Sequence, residues 1–158
     1  MIAPLQLKSY IVKELSYKLN TDCRPKAGET LESVVGVGFD IKGHKTEKGR
    51  YLMSMVIDVN KNPTIFKRNP YQISMRLFGK FMLEKDVDEQ TGTKLLFNNG
   101  SSILYGIARG AVANITGSLG TVRYILPTVN LLAAIERKFA KPEAVRRRKK
   151  RKLSTQQK

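Results

Sequence analysis

Side chains that could perform covalent or metal chemistry are few in this sequence. Cys23 is its one cysteine and His44 its one histidine, and neither belongs to a recognisable catalytic or ligand motif. A nucleophilic thiol needs neighbours that lower its pKa, and a metal site needs several ligands at set spacings. Gly36 and Gly38 are too few glycines for a dinucleotide-binding turn. The sequence therefore predicts a protein that is not an enzyme, with no catalytic residue, no metal and no cofactor.

The strongest chemical signal is a run of cations near the C-terminus. Seven consecutive residues are basic, namely Arg146, Arg147, Arg148, Lys149, Lys150, Arg151 and Lys152. Residues 141–158 carry a net charge of +8, half of the chain's +16. Like charges at this density repel one another and cannot bury a core, which predicts a disordered tail. The tail is either a solubilising segment or an electrostatic arm for nucleic acid, a ribosome, anionic lipid or an acidic protein.

Length and composition predict one domain over residues 1–140, followed by the basic tail over residues 141–158. A chain of 158 residues is long enough to bury a single core. It contains no apolar run of transmembrane length, and its first residues lack the pattern of a secretory signal. We therefore expect a cytoplasmic protein without a membrane span.

Alternation of apolar and polar residues predicts four strands in the first half of the chain. The first strand begins at Leu5 and runs past Tyr17, and its apolar phase slips after Leu7 and again after Val12. Such slips predict a bulge or a bend within one long strand and not a helix. The other strands are predicted at Leu31–Ile41, Tyr51–Val59 and Tyr71–Leu83. A hairpin loop that contains His44 is predicted to join the strand that ends at Ile41 to the strand that begins at Tyr51.

The second half of the chain predicts two helices. Apolar residues recur at helical spacing at Ile103, Leu104, Ile107, Ala108, Ala111, Val112 and Ile115. Gly117 and Gly120 can end this helix, and Asn130 can cap another that runs from Leu131 to about Phe139. Four strands followed by two helices predict an α+β fold, with a four-stranded antiparallel sheet and the helices packed on one face.

The helical half resembles the SecB family of export chaperones. Two segments carry the resemblance, Ile103-Leu-Tyr-Gly-Ile-Ala-Arg109 and Leu126-Pro-Thr-Val-Asn130, and their separation is that of the family. The positions that match the family motifs are Leu104, Ala108, Arg109, Leu126, Val129 and Asn130. The first strand contributes Lys13-Glu-Leu-Ser-Tyr17, so the resemblance covers about residues 5–140. Members of the family share the fold predicted above and associate as a dimer of dimers.

The resemblance implies an ATP-independent holdase that keeps unfolded client proteins from folding or aggregating. Clients would lie in apolar grooves beside the last helix and beside the crossover, the extended segment that joins the two predicted helices. The candidates there are Leu119, Val122, Tyr124, Ile125, Leu132 and Ile135. Adaptable methionines could add contacts, at Met53, Met55 and Met75. Core packing or a subunit interface is the alternative interpretation of each of these nine residues.

The sequence departs from the family in its charges. SecB family members use acidic residues on the sheet to dock a basic segment of the translocase motor. Here Glu14 retains one acid, but Lys18 and Ser74 stand where others are expected. A cationic chain would be repelled from that motor. The departures favour a chaperone dedicated to one client, such as the antitoxin of a toxin-antitoxin system. The alternative is a nucleic-acid-binding or ribosome-associated protein that acts through the tail.

Overall fold

The structure is a computed structural model that describes residues 3–24, 31–118 and 123–133. In these ranges one antiparallel sheet is formed by β1 (Leu5–Leu19), β2 (Val35–Gly43), β3 (Arg50–Val59) and β4 (Tyr71–Leu83), in the spatial order β1-β4-β3-β2. The helices are α1 (Pro63–Phe66), α2 (Glu89–Leu95) and α3 (Ser101–Ser118). A π-helical turn, Leu96–Gly100, joins α2 to α3. The prediction of an α+β fold with a four-stranded antiparallel sheet followed by helices is confirmed.

The chain forms one compact unit from Met1 to Thr128 and a second from Val129 onward. All four strands and the helices α1 to α3 belong to the first unit. The described part of the second unit begins the last helix, where Ala133 N donates a hydrogen bond of 3.0 Å to Asn130 Oδ1. Asn130 is therefore the helix cap that the sequence predicts. The predicted end of that helix, and the domain boundary between residues 140 and 141, lie outside the described residues.

Strand β1 contains a bulge at each of the two predicted phase slips. Its pairing with β4 shifts between Leu7 and Ser9 and again between Val12 and Glu14. Each bulge adds one residue to β1 and so returns the next apolar side chain to the face that carries the core. Tyr10 and Leu15 consequently lie on the same face as Leu7, opposite Gly79 and Met75 of β4.

Strand β2 begins at Val35, four residues later than the alternation predicts. After β3 the chain turns at Asn60, which has a positive φ of 51°. Asn60 N donates to Val34 O at 2.9 Å, and Val34 N donates to Asn60 Oδ1 at 3.0 Å. The chain before Val35 is thus held by this turn and not by a ladder with β3.

The core lies between the sheet and α3. Helix-facing residues of the two central strands are almost fully buried, at Met53, Met55, Ile57, Val59, Ile73, Met75, Leu77 and Phe81. From α3 they are covered by Leu104, Ala108 and Val112, which are also buried. Gly79 permits this packing, because a Cβ at that position would lie 2.7 Å from Leu104 Cδ2.

The chain between β4 and α3 is more helical than its polar sequence predicts. Asp88 caps α2, accepting a hydrogen bond of 2.9 Å from Thr91 N. Within the following turn, Ser101 Oγ donates to Phe97 O and Ser102 Oγ donates to Asn98 O. Asn98 O also accepts a hydrogen bond from Ser101 N, so the hydroxyls add to the backbone bonds of this turn. As a result α3 begins two residues before the first apolar residue of its periodic stripe.

Candidate functional site

The crossover that follows α3, described from Arg123 to Thr128, is held to the body at two points. Tyr124 N donates to Thr116 Oγ1 of α3 at 2.9 Å, and the Tyr124 and Ser33 hydroxyls lie 2.7 Å apart. Four residues before the last helix, Pro127 O accepts a hydrogen bond of 2.6 Å from the Tyr105 hydroxyl. A segment with no strand or helix of its own is therefore fixed by side chains from α3 and from the chain before β2.

The anchor at Tyr124 continues into the body through a polar network. Ser33 Oγ donates to Asn60 Oδ1 at 3.3 Å, so the Tyr124 hydroxyl is left to donate to Ser33. Asn60 Nδ2 in turn donates to Tyr71 O at 3.0 Å. Asn60 is buried, and these bonds satisfy its side-chain amide. The crossover is thus connected to the ends of β3 and β4.

The surroundings of both anchoring tyrosines raise their pKa values. Burial raises the pKa of Tyr124, and the hydrogen bond with Ser33 opposes this only in part. Burial also raises the pKa of Tyr105, with a further contribution from Tyr124. A neutral phenol can donate its proton, which is the role that Pro127 O and Ser33 Oγ require of these groups.

Three tyrosine rings connect the crossover to the edge of the sheet. The Tyr124 and Tyr71 ring centroids lie 5.9 Å apart, and the Tyr71 and Tyr17 centroids are separated by the same distance. Such separations are typical of favourable ring contacts. The Tyr17 hydroxyl is buried and has no hydrogen-bond partner among the described residues. The row of rings places the crossover beside the C-terminal half of β1.

Two of the predicted client-binding residues are exposed. Ile125 follows the Tyr124 anchor with 53% of its surface accessible, although its neighbour Leu126 is fully buried. Leu132, in the second compact unit, is 51% exposed. Tyr124 itself is half-buried and serves as an anchor for the crossover. The predicted residues Leu119, Val122 and Ile135, and all seven basic tail residues, lie outside the described ranges.

The three methionines are buried in the core. Met53 and Met55 have no accessible surface, and Met75 is 1% exposed. They lie on the helix-facing side of the central strands β3 and β4, where α3 and the neighbouring strands cover them. The alternative interpretation, that they pack the core, is the correct one for this structure.

Comparison with known proteins connects this geometry with a fold. No protein-family model and no curated protein matches the sequence. Among solved structures, the chain is similar to a SecB-like chaperone from Mycobacterium tuberculosis in complex with a ChAD peptide from the HigA1 antitoxin. That similarity has a TM-score of 0.61 at 13% identity and covers 80% of this chain and 91% of that chain. This chain has a SecB-like fold. A protein of unknown function from Streptococcus agalactiae is also similar, with a TM-score of 0.44 at 12% identity over 78% and 97% of the two chains.

In this SecB-like fold the apolar side chains of β1 are exposed. The sequence alone did not show that they differ in this from the buried side chains of the other strands. Tyr10, Val12, Leu15 and Leu19 lie on the core face of the sheet, yet each is exposed, Tyr10 by 55%. Ile11, on the other face, is 62% exposed. β1 is an edge strand, and α3 packs on β3 and β4 instead. Alternation predicts which side chains share a face, but the strand order decides which of them are covered.

The residues that mark the departure from the SecB family lie on the face away from α3. Arg76 Nε is 3.6 Å from Glu14 Oε2, and Ser74 Oγ donates to Asp58 Oδ1 at 2.6 Å. Lys18 of β1 lies on the same face, opposite Gln72. Glu14 and Asp58 are therefore both engaged with neighbours on the sheet.

Two further properties concern the described ranges alone. None of their helices is both long enough and apolar enough to cross a membrane. Their His, Cys, Asp and Glu side chains form no group of three or more that could hold a metal ion. Cys23 is a half-buried free thiol, and His44 lies in the β2–β3 hairpin loop as predicted, with Glu47 N donating to its Nδ1 at 3.2 Å.

Proposed function

We propose that this protein is an ATP-independent chaperone that binds extended, unfolded segments of a client and catalyses no reaction. The observation that carries the proposal is the SecB-like fold, together with apolar side chains left exposed beside a crossover that is itself anchored. Exposed apolar surface on a rigid support is what non-covalent holding of an unfolded chain requires. No cofactor is needed for such binding.

The client surface we propose runs along the C-terminal half of β1 and the crossover. Leu15 and Leu19 flank Tyr17 on the core face of β1, and Ile125 follows the tyrosine that contacts this row. An extended segment could place alternate apolar side chains against these residues.

The client we propose is one dedicated protein, such as the antitoxin of a toxin-antitoxin system. The structural neighbour is described in complex with an antitoxin peptide, which supports this class of client. Docking to a translocase motor through the basic segment that the SecB family contacts is not part of the proposal. A net charge of +16, and Lys18 on the sheet face, would repel such a segment. We expect the protein to act in the cytoplasm.

We further propose that the chain associates with itself through β1, first as a dimer and then as a dimer of dimers. Among the described residues no strand pairs with the outer edge of the fifteen-residue β1, and such an edge invites pairing with another strand. Tyr10, Ile11 and Val12 expose apolar side chains on both faces of that edge. A second copy of β1 would cover both the backbone and these side chains.

Aggregation of a chemically unfolded test protein measures the proposed function directly. The full chain and residues 1–140 should suppress light scattering equally, and salt should have little effect because the contacts are apolar. The variant Ile125→Asp should suppress it less, whereas Ile103→Asp, at an exposed apolar position on α3, should behave as the wild type. Failure of the wild type to suppress scattering would contradict the proposal.

A second candidate function rests on the charge of residues 141–158. A net +8 in one segment favours binding to nucleic acid or a ribosome by releasing counterions from phosphates. In that case suppression of scattering would require the tail and would disappear at high salt.

A further inference from the structure

A cavity of about 880 Å³ opens at the end of the sheet where the β2–β3 hairpin turns. Its floor includes Leu52 of β3 and Met82 of β4, which are partly exposed. Its rim carries basic side chains from all of the strands and from the hairpin loop, at Lys8, Lys42, Lys45, Arg50 and Lys80, with His44 beside them. It is separate from the crossover and from the C-terminal half of β1.

Strand register places two of these lysines on the face away from the helices. Lys42 is paired with Leu52, and Leu52 is paired with Lys80, so the three side chains form one row across β2, β3 and β4. The next residue of β3, Met53, is buried under α3, which fixes Leu52 on the opposite face. Two ammonium groups therefore flank an exposed apolar side chain.

The charge of the cavity is almost entirely positive. Every lining side chain that carries a charge at neutral pH is basic. Among the described residues only Arg50 of this set forms an ion pair, with Glu47 Oε2 at 2.7 Å from its guanidinium. The next acid toward the centre of the same face is Asp40, which lies opposite Ser54 in the following row. Lys8, Lys42, Lys45 and Lys80 thus surround an apolar floor that lacks an acidic residue.

The shape and chemistry of the cavity favour one class of anion. A volume of about 880 Å³ can hold several side chains of a peptide, since ligand pockets commonly measure about 300–1,000 Å³. A nucleic-acid strand needs exposed ring faces for its bases. Here Phe81 is fully buried and Tyr51 half-buried, while the exposed floor is aliphatic and thioether. A second copy of this chain would bring like charges together.

We propose that the cavity binds an acidic segment of the client, in which carboxylates alternate with apolar side chains. The carboxylates would meet Lys42, Lys80, Lys8 and Lys45, and the apolar side chains would contact Leu52 and Met82. The inference rests on the proposed chaperone function and narrows its client class to chains that contain such a segment. The apolar surface beside the crossover then holds the rest of the client.

Fluorescence anisotropy with a labelled octapeptide that alternates glutamate and leucine tests the proposal on the full chain. The double variant Lys42→Glu, Lys80→Glu should weaken binding by about tenfold or more, since close charge pairs commonly contribute that much. The control Lys67→Glu, Lys85→Glu changes net charge equally at exposed lysines outside the cavity, and should stay within about twofold of the wild type. The basic tail attracts the peptide equally in both variants, so their difference reports the cavity.

Three results would overturn the proposal. The first is equal weakening in the two double variants, and the second is equal affinity for a peptide with glutamine in place of glutamate. The third is that replacing Lys42 and Lys80 weakens binding of a labelled oligodeoxythymidine more than binding of the acidic peptide. That result would assign the cavity to nucleic acid. The milder variant Lys42→Gln, Lys80→Gln should show the same direction of change without reversing any charge.

The same variants separate this proposal from the proposed function. Loss of acidic-peptide binding by Lys42→Glu, Lys80→Glu, with unchanged suppression of scattering for a basic client, supports both. If the wild type binds the acidic peptide through the cavity but suppresses no aggregation, the cavity is confirmed as an acidic-segment site and the chaperone function fails. If the wild type suppresses aggregation but does not bind the acidic peptide, the cavity proposal alone fails.

Discussion

At the scale of single residues, Tyr124, a predicted client-binding residue, anchors the crossover. Its hydroxyl meets Ser33, which is 91 residues away in sequence. No local pattern can indicate such a contact, because helix and strand periodicities report only which neighbours share a face. Gly79 is similar: a kink is the natural inference from a glycine within a strand, whereas the structure shows that Leu104 needs the space.

The variant Tyr124→Phe tests the anchor. It removes the hydroxyl that meets Ser33 but keeps the ring that contacts Tyr71, so the chain should lose about 0.5–1.5 kcal/mol of unfolding free energy. Urea denaturation followed by circular dichroism measures that change. If the anchor also positions Ile125, client binding should lose more free energy than the variant loses in unfolding free energy. An unchanged unfolding free energy would show that the hydroxyl contributes nothing to the fold.

Asp58 makes the fold sensitive to acid. Partial burial acts to raise the pKa of Asp58, but hydrogen bonds from Ser74 and Lys61, with the charges of Lys61 and Arg76, outweigh it and hold the pKa below its usual 3.8. A carboxyl with a lowered folded-state pKa stabilises the fold above its unfolded-state pKa and loses that effect as pH falls through the folded-state value. The stabilisation is therefore present at neutral pH and disappears below about pH 4.

Denaturation of wild type and Asp58→Asn over a range of pH values measures this contribution. The wild type should be the more stable near neutral pH, and the difference should shrink as the pH falls below about 4. Glu84→Gln, at an exposed position outside this cluster, serves as the control. A difference that does not depend on pH would mean that the charge of Asp58 has no part in stability.

At the scale of elements, the sequence predicts most of the fold but not which surfaces stay open. The phase slips in β1 predict both bulges, and alternation predicts β3 to within one residue and both ends of β4. Apart from its two bulges, β1 alternates apolar and polar residues as β3 does, yet Tyr10 is exposed while Met53 is buried. The order β1-β4-β3-β2 decides the difference, and it depends on long-range pairing that a single sequence does not display.

The exposed side chains of β1 can be tested as a contact between two copies. Replacing Tyr10 and Val12 by lysine puts like charges at the proposed interface, so assembly should shift toward monomers. Analytical ultracentrifugation measures the mass, and circular dichroism checks that the sheet persists. Val34→Lys, at a position 50% exposed outside β1, should assemble as the wild type does. An unchanged mass for the β1 variant would exclude this edge as the contact.

At the scale of the whole molecule, positive charge is divided between the body and the tail. Residues 141–158 hold +8 of the net +16, and residues 1–140 hold the remaining +8, part of it around the hairpin cavity. These two sources differ in kind. A run of consecutive cations would attract any polyanion, whereas cations set around an apolar floor would select a ligand with both carboxylates and apolar side chains.

Removal of residues 141–158 separates the two sources of charge. Binding of an oligonucleotide should become weaker and less dependent on salt, because each phosphate contact that is lost lowers the slope of log affinity against log salt by about 0.7. Binding of the alternating acidic peptide should keep its dependence on Lys42 and Lys80, since those lysines lie on the sheet. Titrations at several salt concentrations measure both slopes. If truncation abolishes the effect of the lysine variants, the tail and not the cavity recognises the acidic segment.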